Sequence, residues 1–245
     1  MLLISESEIR AAGPGNILAI CWRQWRTERS LARRGIHFRD TDPDQVAAAY
    51  AAMTEAEFDA INGPQDWANW RTIPRALSGN VPDDRPLRVL DLGCGTGGST
   101  RVLAYYCPEG SHITGYEFIE PLVGHARRRE YHHGSGSRVN VDFVCQAVTE
   151  TLRQADGATI PGGSVDLVNA SGIVGHHLDP QTFQPVLAEI ARVLEHDGVA
   201  MLDIGPTMPG PVLKSVMAAA YFRFYGHYKS WWGDRTGEMV FCRGA

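Results

Sequence analysis

Two hydrophobic rhythms divide the chain. Through about residue 80, apolar positions recur at helical spacing: Val46, Tyr50 and Met53 fall on one face, and Trp67 and Trp70 share another. Helix-start signals accompany them, with Asp42 before Pro43, Thr54 followed three residues later by Glu57, and Pro64 opening a further segment. Proline disfavours helical geometry in the residue before it, so Pro74 predicts that this segment ends at Ile73. No strand pattern occurs in this stretch, and Ser78 to Pro86, rich in Gly, Asn, Pro and Asp, reads as a linker.

From Leu87 onward, short apolar runs alternate with helical periodicity, the signature of a parallel sheet wrapped by helices. The predicted strands are Leu87 to Leu92, His112 to Phe118, Val139 to Cys145, Val165 to Ala170 and Val199 to Ile204, each apolar enough to be buried on both faces. Between the last two, Asp179 and Pro180 start a helix whose apolar positions Phe183, Val186, Leu187, Ile190, Val193 and Leu194 keep helical spacing up to Gly198. A further amphipathic helix carries Val212, Leu213, Val216, Met217, Ala220, Tyr221 and Phe224. His227 to Trp232 and Glu238 to Arg243 then flank a Gly-Asp turn like a hairpin. The expected organisation is a helical segment over residues 1–80 and an α/β core over 81–245.

Composition narrows the class. At 245 residues, 44% hydrophobic and 21% charged, the chain has material for one generous α/β domain with a small helical addition. A net charge of -5 supplies no global field for gathering phosphates, so nucleic acid is a disfavoured partner and a small molecule the expected one. Cys21, Cys94, Cys107, Cys145 and Cys242 are scattered, with no CxxC pair and no metal-ligand spacing, which suggests reduced thiols in the cytoplasm and no metal. The apolar run Asn16 to Trp22 is broken by Arg23 and Arg26, so neither a signal peptide nor a membrane span is expected.

The sequence Val89-Leu90-Asp91-Leu92-Gly93-Cys94-Gly95-Thr96-Gly97-Gly98 runs from a buried strand into a helix beginning near Ser99. Glycines there let the backbone turn sharply and approach a ligand that a Cβ would repel. The free N–H groups of the following helix suit a carboxylate or phosphate. The turn therefore indicates a nucleoside cofactor before it indicates which one.

The pattern Asp91, Gly93, Gly95 and Gly97 resembles the first motif of the class I S-adenosylmethionine-dependent methyltransferases, and the strand and helix spacing from Leu87 to Arg243 is similar to that family's core. The resemblance implies a Rossmann-like, doubly wound, seven-stranded sheet, mostly parallel with an antiparallel C-terminal hairpin strand, and an N-terminal helical lid. It implies S-adenosylmethionine as cofactor and S-adenosylhomocysteine as product. Glu117, about twenty residues on, has two carboxylate oxygens to match the paired hydroxyls of a ribose, the role of an acidic residue at this place in the family. Gln146 stands where the family usually has an aspartate touching adenine; its amide could both accept from and donate to the base. By the same resemblance Thr96, Phe118, Ala147, Asn169 and Ser171 line the cofactor.

The segment Asn169 to Pro180 is similar to the one that faces the transferable methyl group, and it lacks the Asn-Pro-Pro-Tyr or Asp-Pro-Pro-Tyr sequence of enzymes that methylate exocyclic base amines. Methyl transfer is an in-line displacement that needs alignment and dryness. Near-attack positioning is worth on the order of 7 to 11 kcal/mol, whereas a positioned base adds about 10² to 10⁴ in rate. His176 is the candidate base and His177 its supporting neighbour, although paired histidines here also occur in the family without acting as bases. Acceptor contacts are expected from Tyr50, Trp67, Trp70 and Arg71 on the lid helices, together with His176. The reading is methyl transfer to a small-molecule acceptor, with oxygen favoured by His176 alone and nitrogen or carbon open. Two rivals stand beside it: a non-catalytic cofactor-binding partner or regulator, and an NAD-dependent oxidoreductase, whose fingerprint also has GxGxxG followed by an acid.

Overall fold

The computed structural model describes residues 6–38, 43–231 and 237–244; the expected cap Asp42, Trp232 and the Gly-Asp turn lie outside them. Five helices come first: α1 (Glu6–Ala12), α2 (Ile17–Arg33), α3 (Pro43–Ala51), α4 (Glu55–Ile61) and α5 (Gly63–Leu77). The alternating region follows as β1 (Arg88–Leu92), α6 (Gly98–Tyr106), β2 (His112–Glu117), α7 (Glu120–Arg128), β3 (Val141–Cys145), β4 (Val165–Ala170), α8 (Val174–His177), α9 (Phe183–Val193), β5 (Leu194–Ile204), α10 (Gly210–Ala219), β6 (Phe222–Tyr228) and β7 (Gly237–Arg243).

The seven strands form one sheet in the order β3-β2-β1-β4-β5-β7-β6. The β1 to β5 pairs are parallel, and β7 inserts antiparallel between β5 and β6. This is the expected Rossmann-like sheet with its antiparallel terminal strand. Because β7 is antiparallel, its start lies beside the end of β5, with Glu238 directly opposite Asp203. Two apolar clusters cover the sheet, one built on α9 and α10 residues such as Phe183, Ile190 and Leu213, the other on α5 and α6 residues such as Trp70, Ile73 and Val102. The α5 helix thus brings the N-terminal segment onto the sheet, while α3 and α4 reach over the second-strand end through Tyr50, Phe58, Ile119 and Leu122.

Local chemistry explains the helix starts. Thr54 and Glu57 form a reciprocal capping box at α4, and Val46 and Met53 are buried as their spacing predicts. Four boundaries differ from the sequence expectation. Pro74 does not end α5, which runs on to Leu77. A helical proline costs roughly 3 kcal/mol, but the added turn helps bury Ile73, Ala76 and Leu77, each worth up to about 1.5 to 3 kcal/mol for the larger side chains. Asp179 does not begin α9; its carboxylate accepts from the Gln181 and Thr182 amides, forming a turn that delays the helix to Phe183. The same helix stops at Val193, because Leu194 is already extended and pairs with Val165, with Arg243 donating to its carbonyl. Finally, Tyr221 and Phe224 leave the helical register: Tyr221 takes a φ of 64°, and β6 begins at Phe222.

Candidate active site

Asp91 ends β1 fully buried. Its carboxylate accepts from Ser99 Oγ at 2.7 Å, Thr100 Oγ1 at 2.5 Å and Asn169 Nδ2 at 2.7 Å. Ser171 Oγ completes the network by donating to Asn169 Oδ1 at 2.8 Å. Burial pushes the Asp91 carboxyl up, and the three donors oppose it. The network brings Asp91, Asn169 and Ser171 together, but their polar atoms serve one another. Their work is to lock the ends of β1 and β4 to the start of α6.

Gly93, Gly95 and Gly97 all have positive φ, which a residue with a Cβ would adopt only with strain. Space is equally tight: a Cβ at Gly95 would come within 3.0 Å of the Phe58 ring, and one at Gly97 within 2.1 Å of the Tyr131 hydroxyl. Glu117 ends β2 and is 7% exposed. One of its oxygens accepts from the Gly95 amide at 3.2 Å, the other from the Ile119 amide at 3.0 Å. A carboxylate has about four acceptor positions, so these two bonds orient Glu117 and leave capacity for a pair of hydroxyls. Burial raises its pKa, offset by those amides. The glycine turn, Glu117 and the half-exposed Phe118 after it fit a ribose-bearing cofactor, and Ala147 lies at the end of the neighbouring third-strand segment. The Phe58 ring stands over Gly95 and Thr96 Oγ1 donates to Asp59 Oδ1 at 2.7 Å, so α4 covers this cradle.

Two expected cofactor contacts are corrected. Gln146 spends its amide within the chain, donating to the Thr151 carbonyl at 2.7 Å and accepting from the Arg153 amide at 3.1 Å. These bonds make it a brace for the 146–153 loop, with one N–H and one carbonyl lone pair left over. The start of α6 is not an open anion site either, because Asp66 of α5 packs beside Gly98 and pairs with Arg101 at 3.0 Å. A carboxylate placed there would meet an acid.

After β4, α8 carries the histidines. Asp203, at the end of β5, accepts from the amides of Ile173, Val174 and Gly175 at 3.2, 2.9 and 3.1 Å, and so fixes the first turn of α8. His176 Nε2 lies 3.7 Å from Asp203 Oδ2. A Cβ at Gly175 would fall 2.3 Å from the Gly205 amide, so only glycine lets the two backbones approach and seat the His176 ring against the end of β5. His177 is exposed on the same turn and does not share the Asp203 contact.

The lid residues divide differently from the sequence expectation. Trp70 is buried between Tyr105 and Tyr106 as core. Arg71 stacks 3.7 Å over Trp67 and donates to the Trp67 and Pro14 carbonyls, while Trp67 Nε1 donates to the Gly15 carbonyl at 3.2 Å. These residues staple the N-terminal helices together and are not free to hold an acceptor. Tyr50 packs on Phe38 and Phe58 inside the lid. The face of α5 that does reach His176 is the opposite one, Gln65, Ala68 and Thr72, which lines a small cavity of about 10 Å³, the size of one water or ammonium group, with His176, Asp203, Ile204, Gly237 and Glu238. Sequence reasoning missed Gln65, Thr72 and Glu238, and weighed Asp203 only as a possible metal ligand at a strand end; the available signal for the first two was their helical spacing opposite Trp67 and Trp70, and for Glu238 an acid beside an apolar strand. A larger cleft of about 230 Å³ lies at the N-terminal ends of β1 and β2, away from the strand ends where open α/β sheets bind ligands.

Comparison with known proteins gives one consistent picture. Residues 89–198 match the family model described as a methyltransferase domain. An uncharacterised Synechococcus protein is 30% identical over 69% of this chain and 39% of its own length. Nocamycin O-methyltransferase of Saccharothrix syringae is 31% identical over 63% of this chain and 50% of its own. The matched span is therefore half or less of either relative. Among solved structures, a SAM-dependent methyltransferase of Leishmania major superposes with a TM-score of 0.59 at 15% identity, covering 82% of this chain and 85% of that one.

Proposed function

We propose that this chain is a class I S-adenosylmethionine-dependent methyltransferase, a reading supported by the methyltransferase-domain match over residues 89–198, and that it transfers the methyl group of S-adenosylmethionine to a small-molecule acceptor, with an acceptor oxygen favoured. The observation that carries this reading is the seating of His176: a basic side chain held beside the buried Asp203, on the turn that follows the network tying the glycine turn to β4. When bound, S-adenosylmethionine supplies an electrophilic methyl on a sulfonium. Glu117 would hold its ribose hydroxyls, and Gly93 to Gly97 would let its amino-acid end approach the backbone.

The rest falls to this chain. His176 takes the acceptor's proton as the bond forms, and Asp203, 3.7 Å away, orients the ring. Residues 1–80 act as a lid on the core at 81–245: Phe58 and Asp59 cover the glycine turn and exclude water, while α5 walls the acceptor cavity. Positioning supplies most of the rate, on the order of 7 to 11 kcal/mol, and the base the smaller part. The small-molecule acceptor agrees with the names of relatives such as the nocamycin enzyme and with the net charge of -5. On its scattered, unpaired cysteines we place the enzyme in the cytoplasm. The antiparallel β7 and the family match weigh against the nicotinamide alternative.

The experiment is an acceptor screen that reads S-adenosylhomocysteine formation over phenols, alcohols, carboxylic acids and amines. Turnover on hydroxyl acceptors that falls in His176→Ala supports the reading. Turnover confined to carbon or nitrogen acceptors overturns the oxygen preference, and no product from any class overturns the enzymatic reading.

A further inference from the structure

Glu238 is the most unusual acid in the chain. It opens β7, is 1% exposed, and its Oε2 has no hydrogen-bond partner among the described residues. It stands directly opposite Asp203 in the antiparallel pairing of β5 and β7, the arrangement in which like charges repel most because facing Cβ atoms are about 4.5 to 5.5 Å apart. Asp203 is different: three backbone amides satisfy it. Both acids line the cavity that His176, Gln65 and Thr72 also line. The Ser171 hydroxyl hydrogen-bonds the Glu238 carboxyl, but Oε2 has no partner among the described residues, and an unpaired buried oxygen costs free energy.

The charges that act on Glu238 come from Asp203 and, farther off, Asp91, with the Ser171 hydroxyl beside it. The α5 residues facing the cavity, Gln65, Ala68 and Thr72, carry no charge; His227 of β6 approaches the Gly237 backbone, and His176 lies on the Asp203 side. Among the described residues the cavity therefore offers two carboxyl groups and an imidazole, with no lysine or arginine in its lining. Its complement is a cation that donates several hydrogen bonds.

We propose that Glu238 and Asp203 form an acceptor subsite for a protonated amine, in which Glu238 Oε2 receives an N–H of the ligand's ammonium group beside His176. This rests on the methyl-transfer reading only in calling the ligand an acceptor; the subsite itself stands on the cavity and the unpartnered oxygen. The bare site keeps Glu238 protonated, since burial and Asp203 raise its pKa to about 8. An arriving ammonium favours the carboxylate, so near neutral pH the Glu238 proton leaves to solvent as the cation binds and net charge is balanced. The amine is an anchor on the acceptor, and the methylated atom is a separate group of the same molecule.

The test uses the full chain and simple probes: n-butylamine, n-butanol and butyrate titrated calorimetrically at pH 7 and fixed ionic strength, in two buffers of different ionisation enthalpy. The amine is expected to bind at least about tenfold more tightly than the other two, as loss of a hydrogen bond to a charged group implies, and to release a measurable fraction of a proton. Glu238→Gln should lose both the preference and the proton release. Proton release is read on the unsubstituted protein, so it holds even where the variant folds poorly. Equal binding of butanol, amine binding without proton release, or an amine preference that survives in a folded Glu238→Gln overturns the subsite. S-adenosylmethionine titrated into the same sample separates the two ideas: cofactor binding without amine preference overturns the subsite alone, and amine preference without cofactor binding overturns the methyl-transfer reading alone.

Discussion

Asn169 donates to the Asp91 carboxylate at 2.7 Å, tying the end of β4 to the end of β1 beneath the glycine turn. The contact makes Asp91 a structural hub, since Ser99 and Thr100 donate to the same carboxylate and all four groups are buried.

Asp91→Ala should therefore destabilise the fold by roughly 3 kcal/mol or more, because it strands three buried donors at about 1 to 3 kcal/mol each before relaxation. Glu117→Ala removes a carboxylate bonded to only two backbone amides. It should cost less stability and lower S-adenosylmethionine affinity at least about tenfold. Urea denaturation and calorimetric binding on both variants check the split. Equal stability loss in the two would contradict the hub.

How far the sequence revealed this site depends on whether each residue acts through local pattern or through long-range pairing. The glycine turn, Glu117 and the strand order are legible because strand-turn-helix chemistry is local, and Asp91 is recognisable from its place before the turn. The network it forms is less so, since Asn169 is 78 residues away. Trp67, Trp70 and Arg71 drew notice as aromatic and cationic groups, yet they face the N-terminal helices, and the uncharged face of α5 reaches the cavity. Glu238 was hidden by topology: only the antiparallel insertion of β7 sets it opposite Asp203. Gln146 was misread because an amide that suits a base also suits a loop.

His176→Ala should lower kcat about 10²-fold with S-adenosylmethionine Kd changed less than about twofold, since the ring lies in the acceptor cavity and contributes as a base. Steady-state kinetics beside calorimetry decides it. An unchanged kcat would leave alignment alone as the source of rate.

The lid is latched by charge. Arg129 donates to Glu55 at 2.9 Å and also to Asp59, which in turn accepts from Thr96 at 2.7 Å. Asp59→Ala should free α4, raising amide hydrogen exchange across Glu55–Ile61 roughly 3- to 30-fold, the range for losing partly exposed ion pairs and one hydrogen bond. Exchange unchanged there, measured by mass spectrometry, would show that the apolar contacts of Phe58 hold the lid without the latch.

Burial and the neighbouring Asp203 raise the Glu238 pKa from the ordinary 4.5 to about 8. The folded state thus favours the protonated acid, a contribution present in full below pH 4.5 and lost as pH rises toward 8. Relative to Glu238→Gln, which cannot titrate, the unsubstituted protein should lose several degrees of Tm between pH 5 and 8.5, at about 2 to 4 °C per kcal/mol for a chain of this size. Scanning calorimetry of both proteins across that window checks it; a constant difference would place the Glu238 pKa in the ordinary range.

The most direct test of the account is calorimetric titration of the purified protein with S-adenosylmethionine and S-adenosylhomocysteine, with NAD alongside. The glycine turn and Glu117 predict micromolar binding of the two sulfur compounds, no binding of NAD, and a clear loss of affinity in Glu117→Ala. Binding of NAD without either sulfur compound, or sulfur-compound binding indifferent to Glu117, would contradict it.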